Sequence, residues 1–263
     1  MTQETIDESG AIQRVAALLH EATSVVYLTG AGISTESGIP DFRGPQGVWT
    51  KNPAAEKAAT LDNFMNNRDV RVNSWKNRLG GGMMAGVEPN AGHIALAELE
   101  AMDKVSTLVT QNIDGLHQAA GSSGKKVVEI HGTVHDYRCM GCGDLGPIEV
   151  VLQRVEAGDE DPACKSCGGI LKTATISFGQ ALIPEDLQRS QIAAASSDLL
   201  IAIGTSLGVY PIAAMPEIAL QNDAKFVVIN AQETPFDGYA NEVLRGQIGT
   251  VLPEIVNELR RLM

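Results

Sequence analysis

Apolar residues recur at helical spacing over AIQRVAALLHEA (11–22), and Thr23 and Ser24 lead into VVYLTG, a continuous apolar run that predicts a parallel strand buried on both faces. From Ala31 to about Pro53 the chain is rich in glycine, proline and serine without a period, which predicts a long loop at that strand's carboxyl end. Two short helices are expected over 60–79, broken by GGGMMAG, and another over 88–102 with Asn90 as its N-cap. Strands follow at 104–112 and 125–132, separated by a short helix that Gly121 ends. After a window holding all the cysteines, the alternation resumes with a strand at 171–179 and a helix begun by Pro184. A strand at 198–207, an interrupted helix around Pro211 and Pro216, a strand at 224–230 and a last helix at 252–263 complete the chain. Such alternation predicts an α/β, Rossmann-like fold: a doubly wound parallel sheet covered on both faces.

The interruption has its own chemistry. Cys139-Met-Gly-Cys142 and Cys164-Lys-Ser-Cys167 are two C-x-x-C knuckles separated by 21 residues. Two facing knuckles supply the tetrahedral sulfur cage that Zn²⁺ prefers. A redox pair, two disulfides or an iron–sulfur cluster would use the same residues. Matched short knuckles flanked by small polar residues, in a chain expected in a reducing compartment, favour one zinc ion. Four sulfurs leave no open coordination position, so the metal is expected to be structural. The expected division is therefore one large domain from 1–136 and 172–263, with a helical insertion at about 50–90, and an inserted zinc-ribbon module at 137–171.

Composition narrows the class. The chain has 263 residues, 44% hydrophobic and 20% charged, and no run of the 18 or so apolar residues a membrane span needs. The opening MTQETIDESG is acidic and polar, unlike a secretory signal, so a cytoplasmic location is expected. A net charge of −12 repels a phosphate backbone, so a basic peptide is a better-matched partner than nucleic acid, although such a balance also simply keeps a protein soluble.

Chemistry-bearing residues gather at predicted strand ends, where open α/β sheets bind ligands. Gly30 and Gly32 begin a dinucleotide fingerprint, but Thr35 stands where G-x-G-x-x-G needs its third glycine, and no acidic residue ends a second strand about 20 residues on. An ordinary dehydrogenase is therefore disfavoured. Gly30 and Gly32 allow close approach to a pyrophosphate, with hydroxyls from Ser34, Thr35 and Ser37; alone, they also fit a tight turn. Asp41-Phe42-Arg43 places an apolar plate between an acid and a base, which fits either a water-excluding clamp or a surface ion pair with one packed phenylalanine. Gln111, Asn112 and Asp114 end one strand and His131 the next, which makes His131 a general-base candidate. Gly204, Thr205, Ser206 and Asn230 are placed to meet ribose and phosphate. His20, His93, His117 and His135 receive no chemistry, and no G-x-S-x-G elbow, P-loop or H-E-x-x-H is present.

The ordered set GAGIS-x-x-SGIPDFRG, TQNIDGLHQ-x-AG, His131-Gly132, two C-x-x-C knuckles, GTSL-x-V-x-P and a strand ending in Asn230 resembles the sirtuins, NAD-dependent protein-lysine deacylases, from about residue 10 to the end. The resemblance is nearest to the bacterial class II-like branch. It implies NAD as co-substrate, with the acyl group passing from lysine to ADP-ribose and nicotinamide leaving. By the same resemblance His131 is the general base, acting through a ribose hydroxyl, and Gln111, Asn112, Ile113 and Asp114 line the nicotinamide pocket, Asn112 and Asp114 being its important polar pair. Gly30, Ala31, Gly32, Ile33 and Ser34 form the phosphate and nicotinamide loop, while Asp41, Phe42 and Arg43 cover the nicotinamide end. Gly204, Thr205, Ser206, Asn230, Ala231 and Gln232 serve the adenosine side, and Ile248 meets the adenine through its backbone. An acyl-lysine peptide is implied to add as a strand between 177–180 and 207–211.

Two departures bear on the substrate. Gln180 stands where many sirtuins carry glutamate. Trp75 and Arg78 keep the spacing of a Tyr and Arg pair that selects acidic acyl groups, but with tryptophan for tyrosine. Deacetylation is thus the expected default, with a longer-chain or acidic deacylase and a mono-ADP-ribosyltransferase on the same fold as alternatives.

Overall fold

The computed structural model describes residues 8–42, 44, 47–52 and 59–263, Met83 through its backbone only. Its strands are β1 (Val25–Thr29), β2 (Thr107–Thr110), β3 (Val127–Glu129), β4 (Gly132–Cys139), β5 (Leu145–Pro147), β6 (Leu171–Thr175), β7 (Leu199–Ile203), β8 (Lys225–Ile229) and β9 (Glu242–Leu244). Six of them form a sheet in the order β3-β2-β1-β7-β8-β9. Every pairing in it is parallel. This is the doubly wound arrangement, and its direction reverses between β1 and β7.

Burial on both faces explains the unbroken apolar runs. In β1, Val25 and Tyr27 enter the core under the helices Glu8–Glu21, Ala91–Ala101 and Ile248–Leu262. Val26 and Leu28 point the other way, into the core shared with the helices Pro184–Ala195 and Met215–Gln221. No helix among the described residues is long and apolar enough to cross a membrane.

Several expected elements appear with their expected causes. Asn90 caps the Ala91–Ala101 helix by accepting the Gly92 N–H, and the His93 side chain returns a bond to the Asn90 N–H. The 60–79 region holds two helices, Leu61–Asn66 and Arg68–Leu79.

Four expectations are corrected. The stretch after Gly30 is not plain loop: Ala31–Ser37 is a 3₁₀ helix closed by Gly38 in the left-handed region, at φ 92°. The strand expected at 171–179 stops at Thr175 and does not rejoin the parallel sheet; β6 pairs antiparallel with β4 in a second sheet of order β5-β4-β6. A run such as Leu-Lys-Thr-Ala-Thr favours a strand without naming its partner. β9 was not expected, being three residues long with a charge at its start. The last helix begins at Ile248, because the Glu36 carboxylate accepts the Gly249 N–H at 2.8 Å, a first-turn partner too remote in sequence to be read locally.

Candidate active site

The β1 and β7 ends meet at the switch point through three glycines. Gly30 N–H donates to the Ile203 carbonyl (3.0 Å) and Gly32 N–H to the Gly204 carbonyl (2.8 Å). A Cβ on Gly32 would lie 2.6 Å from the Gly204 Cα, and one on Gly204, at φ 61°, would lie 2.4 Å from the Ile33 nitrogen. The glycines are therefore required first by the contact of one loop with the other, which the sequence alone did not indicate.

A buried polar network fills the floor of this crevice. Ser34 Oγ donates to Asp114 Oδ2 at 2.7 Å, and Asn112 Nδ2 donates both to Ser34 Oγ and to the Gly30 carbonyl, each at 3.1 Å. Asp114 Oδ1 accepts the Leu116 N–H, which fixes the carboxylate at both oxygens. Gln111 Nε2 crosses to Thr205 Oγ1 at 2.8 Å, joining the β2 and β7 ends. Ile113 accepts the Val134 N–H through its carbonyl.

His131 sits at the rim. Its Nδ1 lies 3.0 Å from the Gln111 carbonyl, which only accepts, so Nδ1 carries the hydrogen and Nε2 keeps the lone pair. Burial lowers its pKa below the ordinary imidazole value, with the Gln111 carbonyl bond pulling the other way, so the ring is neutral at pH 7.

On the adenosine side of the reading, Asn230 Nδ2 donates to the Gln232 carbonyl across Ala231. Arg245 donates to the carbonyls of Asn230 and Gln232 and pairs with Asp237, holding that turn from outside. Ser206 is exposed beside the buried Gly204 and Thr205. Ile248 is buried, with its side chain against the Gly92 position, so only its backbone could meet a ligand.

Of Asp41-Phe42-Arg43, the first two lie within the described residues. Asp41 Oδ1 accepts the Gly44 N–H at 2.9 Å, a local turn. Phe42 is exposed and lies 4.5 Å from the Trp49 ring, which in turn lies 5.1 Å from Phe178. Arg43 lies outside the described residues.

The four cysteines converge. All four Sγ atoms lie within 4.8 Å of one another, with Cys139 and Cys167 at 3.5 Å and Cys142 and Cys164 at 3.8 Å. A tetrahedron with 2.3 Å Zn–S bonds needs S···S separations of about 3.8 Å, so the cage fits a single zinc. Backbone N–H groups of Cys142 and Gly141 point at Cys139 Sγ, donors that suit the thiolate form that binds metal.

The model of the Sir2 family matches residues 30–211. The chain belongs to the Sir2 family. It is 46% identical over 235 residues, 89% of this chain and 97% of the relative, to NAD-dependent protein deacetylase 2 of Streptomyces coelicolor. It is 41% identical over 251 residues, 95% and 97% of the two chains, to NAD-dependent protein deacetylase 1 of Bradyrhizobium diazoefficiens. A solved structure described under the mechanism and regulation of Sir2 enzymes superposes with a TM-score of 0.86 at 37% identity, covering 97% of this chain and 100% of the other. Sir2 with a p53 peptide and NAD⁺ superposes at 0.78 and 35% identity, over 96% and 97%.

In this Sir2-family chain the structure also brings in residues that sequence reasoning passed over. His93 Nε2 lies 3.5 Å from Ser34 Oγ, behind the floor network, and His117 Nε2 lies 2.9 Å from Thr29 Oγ1, with the two rings 5.0 Å apart. The Asn90-x-x-His93 spacing was the available signal for the first, being a capping box with histidine in its third position. Trp49 gave no signal, since Phe42 precedes it by seven residues in an aperiodic stretch and Phe178 comes from a remote segment. Conversely, Trp75 is 1% exposed and packed among Cys139, Ile148, Val151 and Leu171, so it belongs to the core of the zinc module.

Proposed function

We propose that this protein is an NAD-dependent protein-lysine deacylase, with acetyl-lysine as its default substrate. NAD supplies the acceptor: its glycosidic bond breaks, nicotinamide leaves, and the acyl group ends on ADP-ribose. The observation that carries the reading is the Ser34, Asn112 and Asp114 network beside a His131 whose Nε2 is free of its proton, at the switch point of a Sir2-family sheet.

Residues 30–34 and 204–206 would hold the phosphates, 230–232 and the Ile248 backbone the adenosine, and 111–114 the nicotinamide. A floor already tied by five hydrogen bonds needs no reorganisation when the ligand enters, which is where its catalytic value lies. His131 Nε2 would take the proton from a ribose hydroxyl, worth about 10²- to 10⁴-fold in rate. Phe42, backed by Trp49, would keep water from the reacting carbon.

The acyl-lysine peptide would add to 177–180 and 207–211 through its main chain. The Phe178 N–H and C=O are already bonded to Ala59 and Leu61, and the Gln180 N–H to the Ser177 carbonyl. Peptide pairing on that segment therefore falls to Gly179 and the Gln180 carbonyl, with little reading of side chains. The burial of Trp75 supports deacetylation over acidic deacylation, because its indole is occupied in the zinc-module core. The same reading takes 137–171 as a zinc module inserted in one domain of 1–136 and 172–263, with the protein in the cytoplasm and acting on protein, not nucleic acid.

The test incubates the protein with NAD and acetyl-, succinyl- or lipoyl-lysine peptides and follows nicotinamide and O-acyl-ADP-ribose by mass spectrometry. O-acetyl-ADP-ribose formed in step with nicotinamide is the expected result. NAD binding without turnover of any peptide would overturn the enzymatic reading, and ADP-ribosylated protein without acyl transfer would replace it by a mono-ADP-ribosyltransferase.

A further inference from the structure

We propose that Lys172 is a positioning residue of the reaction centre, its buried ammonium holding the end of β6 where that strand sets His131 and leads to the peptide edge. The proposal rests on the deacylase reading for its kinetic consequence, though its structural part stands apart from it.

The β4–β6 ladder is interrupted beside the site. Gly132 pairs with Thr175 and Tyr137 with Thr173, so residues 133–136 of β4 face Ala174 alone. Such a bulge disrupts the ladder and leaves backbone groups in need of other partners. On the β6 side of the bulge, Lys172 Nζ ties the two flanking paired residues together: it donates to the Thr173 carbonyl at 3.3 Å and to the Thr175 carbonyl, with Thr175 Oγ1 at 3.5 Å.

An ammonium in this place is unusual. Lys172 is 4% exposed, forms no salt bridge among the described residues, and has the Phe64 ring centroid 6.0 Å from Nζ. Burial, and then the like charge of Arg78, lower its pKa to about 8. A buried charge without a carboxylate is retained when its donors are used, and here every acceptor lies on Thr173 or Thr175.

Those two residues lead directly to the site. Thr175 lies opposite Gly132, whose φ of 73° brings the chain so close that a Cβ there would be 2.0 Å from the Ala174 oxygen. The next residue, Ile176, donates its N–H to the His131 carbonyl at 2.7 Å. Phe178, two residues further, is bridged to Thr60 and opens the segment assigned to the peptide.

The test compares Lys172→Met and Lys172→Arg with wild type at a temperature where circular dichroism shows all three folded. Lys172→Met is expected to lose tenfold or more in kcat/KM for the acetyl-lysine peptide with the KM for NAD within twofold, and Lys172→Arg to recover to within about threefold of wild type. A folded Lys172→Met within twofold of wild type, or an arginine variant no better than methionine, overturns the proposal. If Lys172→Met does not fold, Thr175→Val, which removes one acceptor, is expected to give a smaller loss confined to the peptide, and no loss overturns it. Absence of turnover in the wild type would sink the deacylase reading instead. The NMR titration of the His131 ring then decides for Lys172, a shifted midpoint in the variant supporting the role and an unmoved one rejecting it.

Discussion

His131 Nδ1 faces the Gln111 carbonyl at 3.0 Å, so a single backbone oxygen decides which nitrogen of the ring can take a proton. Replacing His131 by alanine should lower deacylation about 10²- to 10⁴-fold with the melting temperature little changed. Because burial lowers its pKa, the base stays competent to a pH below the ordinary imidazole range and is lost as pH falls further. A pH–rate profile with its acid limb above pH 7 would contradict the assignment.

Ser34 is the shared partner of Asn112 and Asp114. Ser34→Ala leaves a buried carboxylate oxygen and a buried amide each short of one bond, an effect of about 1–3 kcal/mol. Nicotinamide release should slow by about ten- to a hundredfold, and single-turnover rates within twofold of wild type would show that the network is dispensable.

His93 and His117 give the fold its own pH dependence. Burial lowers their pKa values to about 4 and about 3, with Asp114 partly opposing the shift in His93 and the neighbouring His93 adding to that in His117. Both stay neutral in the folded chain and titrate near 6.5 when unfolded, so their contribution is fully present above pH 6.5 and is lost as pH falls toward 4. For His93 alone the loss is on the order of 3 kcal/mol. Urea unfolding between pH 7.5 and 4.5 should show a steep decline that His93→Gln with His117→Gln flattens; an equal slope in the double variant would refute it.

Zinc removal should be felt in the helical insertion. Trp75, from the Arg68–Leu79 helix, shares a core with Cys139 and Cys164, and Arg71 of the same helix pairs with Asp161 at 2.8 Å. In a Trp49→Phe variant, which leaves Trp75 as the sole tryptophan, a chelator should shift the emission to the red and lower the melting temperature. Elemental analysis should give one zinc per chain, and iron in its place would end the claim.

What could be read from the sequence was what neighbours in the chain decide. The period of residues 11–22, the continuous run of β1 and the Asn90 cap are local signals, and all three hold. The cysteine spacing was enough for the cage, since each knuckle is a turn of four residues. What failed depends on remote partners: β6 joins β4, and Glu36 starts the last helix from 213 positions away. The site divided the same way. Gln111, Asn112, Asp114 and His131 lie at strand ends that periodicity could place, whereas Trp49 meets Phe178 through a contact that no spacing predicts.

The meeting of Gly30, Gly32 and Gly204 makes two loops into one part. Neither can be transplanted alone into another doubly wound protein, since a side chain on either surface would wedge them apart. A chimaera that exchanges this crevice has to carry both segments together, and a lineage that altered one would have had to alter the other in the same step.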